Sequence, residues 1–164
     1  MNLLDSPHRT ADSASAVASP ADILHAARSR VEATGGAYAG ALTPREAWTL
    51  ASIGIATIVD VRTAAEVRYV GSVPGALHVE WRGKDAPQVE VFLKELVEKV
   101  DPAQVVLFLC RSAVRSHHAA AAVAREGFNH AFNVLEGFEG QRNHAQQRGF
   151  LDGWRKHGLP WMQD

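Results

Sequence analysis

The single cysteine of this 164-residue chain, Cys110, stands between two segments of opposite character. Residues 105–109 are all apolar, which is typical of a buried strand, and an alanine-rich segment typical of a helix begins near Ser116. A thiol at such a junction lies where backbone N–H groups converge and the helix dipole is positive, and both effects favour the thiolate. Arg111 and Arg115 add positive charge to the same loop. The spacing therefore predicts a nucleophilic cysteine that meets anionic substrates.

Cys110 also has a second interpretation, because a lone cysteine is often only a small buried hydrophobic residue. The polar residues that follow it favour the reactive thiol, since a closed apolar core would not contain them. His117 and His118 come next and open the predicted helix. We interpret both as packed or exposed residues, because a thiolate stabilised by its own loop needs no partner base.

Composition restricts the classes of function. The net charge is −1, with 17 basic and 18 acidic residues, which gives no general attraction for nucleic acid or for an anionic membrane surface. We find no apolar run long enough to cross a bilayer and no secretory signal. One cysteine permits no internal disulfide and fits a reducing compartment, so we expect a cytoplasmic protein. Metal-ligand spacing is also absent from the sequence, and we expect neither a metal nor another cofactor.

Length and patterning predict one α/β domain preceded by a helical extension. Residues 1–20 are predicted to form a disordered tail, residues 21–40 an N-terminal helix and linker, and residues 41–164 the domain. Within the domain we predict strands at 57–61, 76–79, 105–109 and 131–135, and helices at 44–52, 63–67, 89–100, 116–126 and 151–156. Apolar strands that alternate with helices indicate a mostly parallel sheet with helices on both faces. Sites in such sheets form at the carboxyl ends of strands, where Cys110 stands.

Six segments, taken together and in order, resemble the rhodanese family of sulfurtransferases. They are Leu42-Thr43-Pro44-Arg45-Glu46-Ala47, Val59-Asp60-Val61-Arg62 with Glu66, residues 71–79, the loop from Cys110 to Ser116, residues 133–138, and residues 153–160. One such motif would have little specificity, whereas the ordered set covers about residues 41–161. The resemblance implies a single rhodanese-like domain with a central, mostly parallel sheet and helices on both faces.

The resemblance also implies a mechanism. Cys110 attacks the outer sulfur of a small anionic donor such as thiosulfate or a persulfide and carries it as a persulfide. A small thiol, a sulfur-acceptor protein or cyanide then accepts that sulfur. The substrate-binding residues are those of the loop, Arg111, Ser112, Ala113, Val114, Arg115 and Ser116, whose N–H groups form an anion nest. Arg115 is the first candidate for the cation that binds the donor and Arg111 the second, because a guanidinium suits anions.

Three further residues near the predicted site, Asp60, Arg62 and Glu66, are interpreted as structural. An aspartate at the end of a strand accepts hydrogen bonds from the N–H groups of the following loop. Arg62 and Glu66 have the four-residue spacing of an ion pair. We therefore expect these residues to support the site and to take no part in catalysis.

Three residues depart from the family pattern, since Ser72 replaces a histidine and Ala113 and Phe138 replace glycines. An alanine where the backbone needs a positive φ costs about 1 kcal/mol or more, so we expect a slightly reshaped loop around Ala113. Residues 139–149 form an insertion that is polar and basic. We interpret it as a plain surface loop, with a lid or a partner surface near the site as the alternative.

Two other classes of protein remain as alternatives. Cysteine-dependent phosphatases and arsenate reductases also place a cysteine at a strand–loop–helix junction, and those of the rhodanese-like phosphatase type have an arginine after five intervening residues. Here Arg115 follows four residues and Ser116 stands where that arginine would be, which favours a tight nest for one sulfur atom. A non-catalytic rhodanese-like binding module would usually lack the cysteine, which this chain retains. We therefore predict a sulfurtransferase.

Overall fold

A five-stranded sheet lies at the centre of the computed structural model, which describes residues 18–164. Its strands are β1 (Gly40–Leu42), β2 (Ala56–Asp60), β3 (Leu77–His78), β4 (Val105–Leu109) and β5 (Ala131–Val134). The order across the sheet is β1-β5-β4-β2-β3, and all neighbouring strands are parallel. The predicted α/β fold with a parallel sheet is thus confirmed.

The helices between these strands begin with strong local signals. They are α1 (Pro20–Glu32), α2 (Pro44–Ser52), α3 (Ala64–Val70), α4 (Ala86–Val97) and α5 (Val114–Ala124). The first three start with capping boxes, in which Ser19, Thr43 and Thr63 exchange hydrogen bonds with the acidic residue three positions later. Ser19 therefore belongs to the start of α1, whereas residues 1–17 of the predicted tail lie outside the described part of the chain. None of the described helices is long and apolar enough to span a bilayer.

Two apolar cores lie on opposite faces of the sheet. Leu107 and Leu109 of β4 point into a core that α1 and α2 cover, and α1 contributes Ile23 to it. The alternate residues Val106 and Phe108 point into a second core that α4 and α5 cover. Both faces of the sheet are therefore covered by helices, which explains why the central strand β4 is apolar throughout. The N-terminal helical extension packs as part of the domain.

The chain leaves β2 and β4 in opposite directions across the sheet. Helix α3 leads from β2 to the edge strand β3, whereas α5 leads from β4 to β5 on the other side. The carboxyl ends of these two adjacent strands, Asp60 and Leu109, pair with each other and flank the point where the strand order reverses. Ligands of α/β sheets bind at such a switch point, and Cys110 is the next residue after β4.

Several segments differ from the sequence-based prediction. Helix α4 begins and ends three residues earlier than the predicted 89–100, and α3 ends at Val70, three residues later than expected. Strand β1 was not predicted, because three residues are too few to show a pattern. Helix α5 begins at Val114, two residues earlier than expected. The helix predicted at 151–156 is wrong, since this segment consists of turns. Gly153 has a φ of 103°, which no helical residue adopts, and its Cα lies so close to the backbone of Gly140 that a Cβ would be 2.5 Å from the Gly140 nitrogen.

Candidate active site

Cys110 follows β4 directly and lines a cleft, although only 1% of the residue is exposed. One side of it packs against the second core. The buried hydroxyl of Ser116, in the first turn of α5, donates a hydrogen bond to the Cys110 sulfur over 3.3 Å. The thiol is therefore shielded on its core side and is reached from the cleft.

The loop enters α5 through Ala113, whose φ of 69° is left-handed. A non-glycine residue in this conformation stores about 1 kcal/mol or more of strain. Two donors hold its carbonyl oxygen in place, the backbone N–H of His117 at 3.2 Å and the side-chain amide of Asn133 at 3.4 Å. Unlike the starts of α1 to α3, the start of α5 has no side-chain cap. The N–H groups of its first turn can therefore bind an anion beside Cys110.

The turn after β5 packs against the backbone of the loop that follows Cys110. Gly137 packs so closely against the peptide bond between Arg111 and Ser112 that a Cβ would lie 2.5 Å from its atoms. The backbone N–H of Phe138 donates to the Cys110 carbonyl over 2.8 Å, and the N–H of Glu139 donates to the Arg111 carbonyl over 3.0 Å. These contacts fix the direction in which the loop leaves β4.

Asp60 and Arg62 form a buried ion pair beside this loop. The Arg62 guanidinium is fully buried and binds both carboxylate oxygens of Asp60 at 2.6 to 3.1 Å. It also donates to the Gly71 carbonyl and lies 4.1 Å above the ring of Phe138. The expected pair of Arg62 with Glu66 does not form, because Arg62 faces the interior, where its charge needs a buried partner. Phe138, which departs from the family pattern, thus covers a buried guanidinium.

Glu66 instead binds Arg115, which the sequence places 49 residues away. Two hydrogen bonds of 2.6 and 2.8 Å join the guanidinium to both carboxylate oxygens. Burial opposes ionisation of Glu66, but hydrogen bonds from Arg115 and Thr63 outweigh it and lower the pKa of Glu66 to about 2. The same contact raises the pKa of Arg115. Arg115 lines the cleft, but its charge is already balanced by a carboxylate.

The cleft has a volume of about 500 Å³ and a strongly basic lining. The predicted loop contributes one side of it through Cys110, Arg111, Ser112, Val114 and Arg115. The insertion 139–149 contributes the other side through Gln141, Arg142 and Arg148. Its interpretation as a plain surface loop is therefore wrong, because these side chains line the same cleft as Cys110. Sequence reasoning missed both arginines, and the basic composition of the insertion was the only signal that pointed to them.

The two histidines of α5 lie away from the cleft lining. His117 forms a 2.8 Å hydrogen bond with the Tyr38 hydroxyl through its Nδ1 atom. Burial and the positive charge of Lys84 lower the pKa of His118. Within residues 18–164, no histidine hydrogen-bonds the Cys110 thiol, and no three histidine, cysteine, aspartate or glutamate residues lie close enough together to hold a metal ion.

The chain is similar to known proteins that contain a rhodanese-like domain. The family model for the rhodanese-like domain matches residues 43–144. An uncharacterized protein of Rickettsia prowazekii is 34% identical over 115 residues, which cover 65% of this chain and 83% of that protein. The thiosulfate sulfurtransferase GlpE of Actinobacillus succinogenes is 26% identical over 119 residues, which cover 73% of this chain and 86% of that enzyme. The crystal structure of Rv0390 from M. tuberculosis superposes with a TM-score of 0.66 at 42% identity, covering 77% of this chain and 99% of that one. This chain therefore belongs to the rhodanese-like domain family.

Proposed function

We propose that this protein is a sulfurtransferase that moves a sulfane sulfur from thiosulfate or a persulfide to a thiol or cyanide through a persulfide on Cys110. The observation that carries the proposal is the position of the Cys110 thiol, which the Ser116 hydroxyl binds and which lines a cleft rich in arginine. Membership of the rhodanese-like family and similarity to thiosulfate sulfurtransferases support it.

Sulfur transfer proceeds in two displacement steps. The Cys110 thiolate attacks the outer sulfur of the donor and forms a new S–S bond. The bond between that sulfur and the rest of the donor breaks, and sulfite or an organic thiolate leaves with the bonding electron pair. An acceptor thiolate or cyanide then attacks the terminal sulfur of the Cys110 persulfide, and Cys110 leaves as a thiolate. Neither step needs an external oxidant or reductant.

The surrounding groups stabilise negative charge on sulfur. The Ser116 hydroxyl donates a hydrogen bond to the Cys110 sulfur, and such a bond strengthens when the acceptor is ionised. The uncapped first turn of α5 adds N–H donors and the positive end of the helix dipole. Arg111 attracts the donor to the cleft, whereas Arg115 positions the loop through its bond with Glu66. The first-choice cation of the sequence-based prediction therefore acts as a positioning residue.

The loop after Cys110 lacks the arginine that the phosphatase alternative requires. A phosphatase of the rhodanese-like type needs a guanidinium at the position of Ser116, and this hydroxyl contacts the cysteine sulfur instead. We propose small anionic sulfur donors and a small thiol or an acceptor protein as partners, with no part for nucleic acid or a membrane. We also propose a cytoplasmic location, because thiols remain reduced there.

One pair of assays on the same preparation separates these functions. Thiocyanate formation from thiosulfate and cyanide measures sulfur transfer, and release of nitrophenol from p-nitrophenyl phosphate measures phosphatase activity. We expect thiocyanate from the wild-type protein and none from Cys110→Ser. Phosphate-ester hydrolysis that depends on Cys110, without thiocyanate formation, would overturn the proposal.

A further inference from the structure

We propose that Arg142 and Arg148 form a second anion-binding subsite that holds the charged tail of an organic persulfide or thiol while its sulfur reaches Cys110. This inference rests on the proposed sulfur transfer and names the class of substrate that the site takes. Both arginines belong to the insertion 139–149 and line the same cleft as the thiol.

The cleft carries an excess of positive charge. Among the ion pairs within residues 18–164, none involves Arg111, Arg142 or Arg148. Arg142 donates to the side-chain oxygen of Gln146 over 3.0 Å, and Arg148 donates to the Gly140 carbonyl over 2.6 Å. Both contacts are with neutral acceptors, so neither guanidinium is engaged in a direct ion pair.

Nearby carboxylates are engaged elsewhere. Glu66 binds Arg115, and Glu139 faces Arg155 at 3.8 Å. Asp152 accepts a 2.6 Å hydrogen bond from the backbone N–H of Gln141. Burial and the positive charges of Arg111 and Arg142 lower the pKa of Arg148, and the opposing attraction of Glu139 and Asp152 is too weak to offset them. An anion that enters between these side chains relieves this repulsion.

The size of the cleft indicates an organic ligand. Its volume of about 500 Å³ falls within the range of roughly 300–1,000 Å³ found for pockets that hold drug-sized molecules. Thiosulfate fills a small part of such a space and needs only the loop beside Cys110. A low-molecular-weight thiol with carboxylates or phosphates fills more of it, and guanidinium groups bind both kinds of anion in a bidentate manner.

Binding of an unreactive analogue tests the subsite independently of catalysis. We would titrate S-methylglutathione into the wild-type protein, the Arg142→Gln/Arg148→Gln variant and a control that loses two charges outside the cleft, Lys94→Gln/Arg125→Gln. We expect the affinity to fall about tenfold in the cleft variant, as for the loss of one charge-assisted hydrogen bond, and to stay within about twofold in the control. Equal affinities in the wild-type protein and the cleft variant, or no binding to the wild-type protein, would overturn the subsite.

Arg148 also donates a hydrogen bond to the Gly140 carbonyl, so its substitution could disturb the insertion itself. Arg142 is exposed, and the single variant Arg142→Gln leaves that hydrogen bond intact and provides a second measurement. We expect it to weaken S-methylglutathione binding by about threefold, half the effect in free energy. An unchanged affinity in this variant, or loss in the double variant accompanied by a fall in its melting temperature, would contradict a direct role for the two arginines.

Kinetics with matched donors identify the charged group. We expect the KM for glutathione persulfide to rise about tenfold in the Arg142→Gln/Arg148→Gln variant, and that for its neutral N-acetyl dimethyl ester to stay unchanged. Coenzyme A persulfide distinguishes phosphates from carboxylates, and a larger effect on it would assign the subsite to phosphates. An equal rise for the neutral ester would overturn the inference. If no donor supports transfer while S-methylglutathione binding still depends on both arginines, the proposed function fails and the subsite stands.

Discussion

The ion pair between Glu66 and Arg115 is expected to stabilise the fold measurably. The Glu66→Gln variant keeps an acceptor for the capping hydrogen bonds of Thr63 but removes the charge that Arg115 binds. In the wild-type protein, burial opposes ionisation of Glu66, and the bonds from Arg115 and Thr63 more than offset this, lowering the pKa from 4.5 to about 2. One pKa unit corresponds to about 1.4 kcal/mol, so the shift amounts to about 3 kcal/mol. Since both side chains remain partly exposed, solvent screening reduces the expected loss to about 1.5 kcal/mol.

The pH dependence of this loss has a definite sign. A carboxyl group with a lowered pKa in the folded state contributes fully above its ordinary pKa of 4.5, and the contribution disappears as the pH falls towards about 2. Urea unfolding of the wild-type protein and of Glu66→Gln should therefore differ by about 1.5 kcal/mol at pH 7 and by clearly less at pH 3. The exposed pair of Glu95 and Lys99 supplies the control, and Glu95→Gln should lose about 0.5 kcal/mol or less. A Glu66→Gln loss no larger than that of the control, or one that grows as the pH falls, would refute this reasoning.

Three other substitutions, with His118→Ala as a control for the last, test the geometry of the loop. Ala113→Gly should raise the free energy of unfolding by about 1 kcal/mol, because glycine adopts the φ of 69° without strain, and a loss of stability in urea would contradict the assigned conformation. Gly137→Ala should destabilise the protein by about 1–3 kcal/mol and slow sulfur transfer, because the added Cβ would lie 2.5 Å from the backbone of Arg111 and Ser112. A melting temperature equal to that of the wild type would exclude this close contact. Ser116→Ala should slow alkylation of Cys110 by iodoacetamide at pH 7 about tenfold, because it removes the hydrogen bond to the sulfur, whereas His118→Ala should leave that rate within about twofold. A larger effect of His118→Ala than of Ser116→Ala would favour a cysteine–histidine pair.

The parts of the fold that local physics determines were predictable from the sequence. The mainly apolar runs of β2 and β4 predicted buried strands covered on both faces, and the structure confirms this. The cap at Thr43 was also visible, because a capping box needs only residues three positions apart. The position of Cys110 at the carboxyl end of β4 followed from the same local reading of strand, loop and helix.

Features that depend on contacts between distant segments were not predictable. The spacing of Arg62 and Glu66 suggested one ion pair, but the ring of Phe138 and the carboxylate of Asp60 bind Arg62 in the interior. Glu66 is thereby left to Arg115, on a different helix. The segment 151–156 has the apolar spacing of a helix, yet its close contact with Gly140 imposes turns.

The contribution of the insertion 139–149 to the cleft was also not predictable, because it depends on contacts between distant segments. Arg142 and Arg148 come from an insertion whose sequence is polar and basic, as in many exposed loops. Only the folded structure shows that Arg142 and Arg148 line the same cleft as the Cys110 thiol.

The intact mass of the protein after exposure to thiosulfate tests the central claim most directly. Cys110 is the only thiol of the chain, so a single persulfide must form there or nowhere. We expect the wild-type protein to gain one sulfur atom, about 32 Da, by attack of the thiolate on the outer sulfur. The gain should disappear on addition of cyanide and should be absent in Cys110→Ser. A wild-type protein that forms thiocyanate without ever carrying the added sulfur, or a Cys110→Ser variant that still carries it, would contradict the account.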